Sequence, residues 1–408
     1  MTVNNYNIKR LSIISDTFGE YSVANGAVIN YYEDVLSPTI SMSIQFVDTD
    51  GVVSNGPVLG GEKIVGEIFF PYSNTSLKID EDTKVIVQSV TDTTTKSSNQ
   101  FSTISGISLE CIKNETVRLG KKYDGNVQQI VSQLLSSSLG TLKKISSENT
   151  SNKYTFIGNQ KRPFDTIQWL APKSIKEQKS GGFLFFETID GYVFKSVDTL
   201  LKQSPVATYT KTEIVNPDDR FIIVTDYLTQ NSDLSGMSRM GMYANKTIYW
   251  NSKDMNFVGG KTEDNGATVF KASDSIQKSP KLPDNLHDKP TRFMLRMLDV
   301  GSLQNGETID EVQNVEELAK YQNQTYVRLN LLFSQSLNIV VPINSELRAG
   351  QVIFAKFPLP TSNSGSKQFG NNNDSDISGN YMISQLRHVI GNNRAYTALK
   401  LVRDSFST

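Results

Sequence analysis

Few residues in this 408-residue chain have the type and spacing that chemistry requires. His287 and His388 stand about 100 residues apart, and neither has a neighbouring Cys or a regularly spaced carboxylate, so a catalytic metal site is not encoded around them. Neither the HExxH pattern nor a G-x-S-x-G elbow occurs. The single cysteine, Cys111, can form neither an intrachain disulfide nor a thiolate metal site on its own. Gly60-Gly61-Glu62-Lys63 lacks the spacing of a phosphate-binding loop and any following helix. Gly260-Lys261-Thr262 matches only the end of that pattern, because Met255 stands where its first glycine is needed. Asp48, Asp50 and Glu62 could hold an ion, but aspartates also close turns through their own backbone. With 42 acidic residues, a carboxylate pair suited to glycoside cleavage is guaranteed by chance, and nothing singles one out. Tyr31-Tyr32 and Phe183–Phe186 could be sugar or partner platforms; lying in expected strands, they read first as core. Met237, Met240 and Met242 suit an adaptable contact surface or a core equally well. The residues therefore assign no catalytic group, no cofactor and no metal.

The elements that would position these groups are mostly strands. Ile40, Met42, Ile44 and Phe46 alternate with Ser41, Ser43 and Gln45, the period of a half-buried strand. Further strands are expected over Glu62–Phe70, Lys84–Val90 and Phe101–Cys111. A helix is expected after Asp124, with Val127, Ile130, Val131, Leu134, Leu135 and Leu139 on one face and Gly140 as its stop. A shorter helix starts at Pro163, and Asp190-Gly191 marks a hairpin between Phe183 and Val197. Strands resume over Ala207–Leu228, and a helix is expected over Ile309–Gln322. The remaining strands fall over Tyr326–Phe333, Leu337–Val341, Val352–Phe357, Tyr381–Ile390 and Tyr396–Leu401, with a polar loop over Thr361–Ser378.

The 41 basic and 42 acidic residues leave a net charge of -1, which argues against a nucleic-acid binder acting through a general basic field. Length allows two to four domains. No apolar run approaches the ~18 residues of a membrane span, and the first residues do not read as a signal peptide, so folding in a reducing cytoplasm is expected. The expected class is a β-rich α+β fold: a small antiparallel barrel or sandwich, a mixed α and β unit, and a second strand-rich region that leaves room for a related barrel.

The C-terminal third carries a specific combination. Val341-Pro342, Leu347-Arg348-Ala349-Gly350-Gln351-Val352-Ile353 and Pro358 are followed by Ser378-Gly379-Asn380-Tyr381-Met382-Ile383, then His388-Val389-Ile390 and Thr397–Asp404. This resembles the closing barrel of phage tail hub proteins, the superfamily of late-control protein D and the central baseplate hubs of T-even-like contractile tails. Phe164–Leu170, with the hairpin Gly182–Val197, resembles their mixed domain, and Tyr31–Phe46 their first barrel. The resemblance implies a first tube-type β-barrel at 1–111, a mixed domain at 112–205 and a second tube-type barrel from 206–239 plus 325–408. Residues 240–324 then form an inserted accessory domain. It further implies a non-enzymatic homotrimer, a pseudo-hexameric ring joining a trimeric central spike protein to the hexameric tail tube or its initiator proteins. The tape-measure protein is an additional candidate partner, and DNA is present only in transit. The expected location is the virion tail baseplate. The rivals are a tail-associated cell-wall hydrolase or glycan-binding component, and the hub of a phage-derived injection system.

Overall fold

The computed structural model describes residues 5–48, 51, 53, 58–80, 83–96, 99–177, 180–212, 220–230, 233–253, 255–258, 268–270, 289–302, 315–358 and 377–403. Asp50, the Gly260-Lys261-Thr262 motif, His287 and nearly all of the expected loop at 361–378 lie outside these residues.

The N-terminal alternation folds as read. Strands β1 (Asn7–Ser15), β2 (Gly19–Ser22), β3 (Val28–Asp34), β4 (Ser41–Asp48), β5 (Lys63–Phe70), β6 (Thr75–Ile79), β7 (Val85–Lys96) and β8 (Asn99–Ser108) follow in order. Met42, Ile44 and Phe46 of β4 point into the core, with Ser41, Ser43 and Gln45 opposite. The strand expected over Phe101–Cys111 stops at Ser108, where helix α1 (Leu109–Thr116) begins. Leu109-Glu110-Cys111-Ile112 breaks the two-residue period, which is the physical reason.

A mixed segment follows: β9 (Lys122–Asn126), α2 (Val127–Gln133), β10 (Ile145–Ser147), β11 (Lys153–Ile157), α3 (Pro163–Leu170), β12 (Phe183–Thr188), β13 (Gly191–Ser196) and α4 (Val197–Leu201). Asn126, not Asp124, stands at the N-cap of α2; Asp124 belongs to β9 and accepts a hydrogen bond from Thr155 Oγ1 at 2.7 Å. A π-turn over Leu134–Ser138 carries the helix on to Gly140, whose φ of 61° suits its role as the stop. In the hairpin the two turn residues are Ile189 and Asp190, because Thr188 pairs directly with Gly191. Gly191 has φ 124°, and a Cβ there would lie 2.2 Å from the Lys144 carbonyl oxygen, so β10 can approach only a glycine.

Beyond the mixed segment come β14 (Thr208–Thr210), β15 (Thr225–Gln230) and α5 (Leu234–Arg239), then β16 (Asn245–Asn251), β17 (Asn256–Val258), β18 (Thr268–Phe270) and β19 (Arg292–Leu298). Helix α6 (Val315–Leu331) replaces the strand expected over Tyr326–Phe333. Ala319, Asn323, Val327 and Leu331 form its buried stripe at four-residue spacing, which a scan for alternation splits. The chain closes with β20 (Gln335–Pro342), β21 (Val352–Lys356), β22 (Gly379–Gly391) and β23 (Arg394–Arg403).

Among the described residues, fourteen strands join in one sheet, ordered β15-β20-β23-β22-β3-β4-β8-β7-β5-β1-β2, with β6 on β5 and β14-β21 on β22. The path contains two five-stranded units of equal order and register. Tyr31, Met42, Gly106 and Val87 lie abreast across β3-β4-β8-β7. Leu228, Leu337, Leu401 and Ile383 lie abreast across β15-β20-β23-β22. Lys63 opposite Ile86 corresponds to Val352 opposite Met382. The bulge at Val87/Ser89 in β7 recurs at Ile383/Gln385 in β22. One apolar core serves both units, running from Ile13, Ile29 and Ile44 to Ile339, Ile383 and Leu401. No ladder among the described residues closes either unit on itself.

Candidate functional site at the seam of the two sheet units

The two units meet where β22 pairs antiparallel with β3, from Gln385 opposite Asp34 to Ile390 opposite Ile29. Alternation sends the paired side chains to two faces. On the inner face Tyr31 and His388 stack with ring centroids 5.9 Å apart, and His388 Nδ1 lies 3.0 Å from Thr397 Oγ1. Burial, reinforced by the Arg348 charge, pushes the His388 pKa down to about 3, so its imidazole is neutral at physiological pH. On the outer face Arg387 lies over the Tyr32 ring and donates to Asn30 Oδ1 at 2.8 Å, while Gln385 Nε2 donates to Asp34 Oδ2 at 2.8 Å. A groove of about 630 Å³ follows this outer face, with Tyr32, Asp34, Tyr227, Asn338, Arg387 and Lys400 along it.

Beneath the seam, Glu33 joins three segments. It accepts the Ala349 N–H at 2.8 Å, the Ile189 N–H at 2.9 Å and the Tyr31 hydroxyl at 2.8 Å. Burial raises its pKa to about 6, although those donors and Arg348 favour the anion. Beside it Arg348 pairs with Asp190 at 2.9 Å.

A second buried network docks the mixed segment on the first unit. Lys143 Nζ lies 2.8 Å from Glu110 Oε2 and 2.6 Å from Glu187 Oε1. Glu187 Oε2 accepts the Ile40 N–H at 3.0 Å and the Ser108 hydroxyl at 2.5 Å. Glu110 Oε1 accepts from Thr141 at 2.8 Å. Burial raises the Glu187 carboxyl above its ordinary range and outweighs Lys143. For Glu110 burial acts in the same direction, but Lys143 and Thr141 bring the group below its ordinary value. Glu187 and Glu110 are 0% and 1% exposed, so their oxygens serve the protein interior.

The residues singled out in the sequence are dispersed. Tyr31 is core, whereas Tyr32 lines the groove. Phe183–Phe186 are buried. Met237 and Met242 pack with Tyr243, Val327 and Leu331, while Met240 is exposed. Asp48 Oδ2 accepts the Val53 N–H, and Glu62 accepts the N–H groups of Leu59 and Gly60, so both carboxylates close turns. Among the described residues, no group of three or more His, Cys, Asp or Glu could hold a metal ion, and no helix is long and apolar enough to cross a membrane. Sequence reasoning missed Glu33, Glu110, Lys143 and Glu187. One signal was present: Glu33 falls in the inward register of Tyr31 and Val35, where an acid requires buried donors.

A separate sheet carries several exposed apolar side chains. β16 pairs with β17 and β18 on one edge and with β19 on the other. Helix α6 packs on its inner side, where Leu318, Ala319 and Tyr321 meet Tyr249 and Leu298. Phe257, Phe293, Leu295 and Met297 are more than half exposed.

No family profile and no curated protein sequence matches this chain. Solved structures do match over nearly its whole length. A tail protein from Neisseria meningitidis MC58 superposes with a TM-score of 0.58 at 13% identity, covering 98% of this chain and 97% of that one. The 43 kDa tail protein of prophage MuSo2 from Shewanella oneidensis superposes with a TM-score of 0.54 at 8% identity, covering 97% and 98%. The β-rich chain, with its large antiparallel sheet, thus has the fold of phage tail proteins.

Proposed function

We propose that this chain is the structural hub of a contractile tail baseplate. Three copies form a pseudo-hexameric ring that joins a trimeric central spike to the hexameric tail tube and lets DNA pass. In this reading residues 1–111 and 206–239 plus 325–408 are two tube-type barrels. Residues 112–205 are the mixed domain and 240–324 the accessory domain. The chemistry is interface burial rather than bond cleavage, and the place of action is the virion tail.

The observation that carries this reading is the repeat of order and register between the two sheet units. A chain that holds two equivalent units presents six of them when three chains close a ring, so a threefold partner can meet a sixfold one. The tail-protein fold supports the same reading. So does the net charge of -1, because a strongly basic lumen would retain passing DNA. Sedimentation of the purified chain, alone and with its trimeric spike protein, tests the proposal. A species of three chains is expected, and a chain that stays monomeric with the spike present refutes the ring.

A further inference from the structure

We propose that Lys143 and Glu187 react with each other to form an intramolecular isopeptide bond, with Glu110 carrying the proton. The bond is a modification of the folded chain and stands independently of the ring reading.

Three ionisable side chains are shut away together beneath β12. Those of Lys143, Glu110 and Glu187 are 5%, 2% and 0% exposed, and the Tyr192 ring lies 5.9 Å from the Lys143 ammonium. Lys143 Nζ is 2.6 Å from Glu187 Oε1. The carboxyl carbon stands one bond beyond that oxygen, close to the ~3–3.5 Å of a reacting pair. Enclosure keeps out the water that would oppose a condensation. The surroundings supply the rest of what an amine and a carboxyl need. Glu187 Oε2 accepts the Ile40 N–H at 3.0 Å and the Ser108 hydroxyl at 2.5 Å. Two fixed donors on one oxygen form a hole for the negative charge that gathers there when a nucleophile adds to the carbon. On the other side of Nζ, Glu110 Oε2 lies at 2.8 Å, within reach of a proton transfer. The two carboxyls are also driven apart in acidity. Burial raises Glu187 above its ordinary range, whereas for Glu110 burial is outweighed by Lys143 and Thr141, which bring it below its own. Carboxyls separated in this way divide into an acid and a base.

The step balances within the cluster. One ammonium proton passes to Glu187 Oε1 and gives the neutral acid. A second passes to Glu110 and frees the electron pair of the amine. Nζ then bonds to the Glu187 carboxyl carbon, negative charge gathers on Oε2, and the bond from carbon to Oε1 breaks. Oε1 leaves as water, taking its own proton and the one that Glu110 returns. The third proton stays on the amide nitrogen, and Glu110 ends as the carboxylate it began. The product ties β12 to the segment entering β10, 44 positions away in sequence, in a chain whose single cysteine can form no intrachain disulfide.

Mass spectrometry of the full chain, purified folded and then unfolded in acid, reads the bond directly. The expected mass is one water below that of the sequence, and digestion should leave a branched peptide that joins Lys143 to Glu187. Lys143→Arg keeps a cation between the two acids and should restore the full mass. Glu110→Gln should slow formation of the bond about a hundredfold, followed by mass in freshly translated chain, with hydrogen exchange over β12 checking that the variant folds. A folded wild-type chain that keeps its full mass on prolonged incubation, or that loses a water mapped to another site, overturns the bond. Formation at an equal rate in folded Glu110→Gln overturns the role given to Glu110.

Discussion

Lys143 is the point at which the mixed segment depends on the first sheet unit. Its ammonium stands between two enclosed carboxylates, at 2.8 Å from Glu110 and 2.6 Å from Glu187, and is itself only 5% exposed. Lys143→Met keeps much of the side-chain volume and removes the charge. Both carboxylates then remain buried without their cation, and breaking a buried pair in this way costs about 3–5 kcal/mol. The cost depends on pH with a definite sign. Burial already holds Glu187 above its ordinary range, and loss of the cation raises it further. A proton then binds the folded variant more tightly than the unfolded one, so the variant recovers stability as pH falls. Urea unfolding of both proteins at pH 8 and pH 5 measures this, and hydrogen exchange over β8 and β12 locates it. Adding Glu187→Gln to Lys143→Met removes one uncompensated charge and should restore at least half of the loss. A loss below about 1 kcal/mol at pH 8, or an equal loss at both pH values, would refute the reasoning.

Glu33, with a pKa raised to about 6, costs stability as pH rises from the ordinary carboxylate value toward neutrality. At 1.36 kcal/mol per unit, Glu33→Gln should remove about 2 kcal/mol of that decline between pH 4.5 and 7, read by urea unfolding against the wild type. Gly350 has φ 81°, and a Cβ there would sit 2.6 Å from Phe186 Cζ, so Gly350→Ala should destabilise by about 1–3 kcal/mol. An unchanged unfolding midpoint would contradict that packing. Leu295→Lys should leave stability within about 0.5 kcal/mol and lower the binding of an apolar fluorescent dye, since Leu295 is 69% exposed on an apolar face.

Much of the sheet was legible because burial on one face writes a period of two. β4 announced itself through Met42, Ile44 and Phe46, and β12–β13 through the run around Asp190-Gly191. α6 was misread in part because Tyr326–Phe333 carries apolar residues at positions that satisfy both helix and strand templates. Packing of Val327 and Leu331 against Met237, Met242 and Tyr243 selects the helix. The seam was not legible. Pairing of β22 with β3 joins residues more than 350 positions apart, and no local pattern specifies a partner at that distance. The carboxylate networks were hidden for a related reason. Glu187 sits in an otherwise apolar strand, and its partners Ile40, Ser108 and Lys143 come from three other segments.

The proposed assembly is a ring of three copies of this chain with six equivalent sheet units. Electron cryomicroscopy of the chain assembled with its spike tests it most directly. The expected image is a closed ring of three chains with near-sixfold inner symmetry, the sheet of each chain continuous from β22 to β3. A ring of any other chain number, or three chains meeting through surfaces that leave the two sheet units inequivalent about the axis, would contradict it.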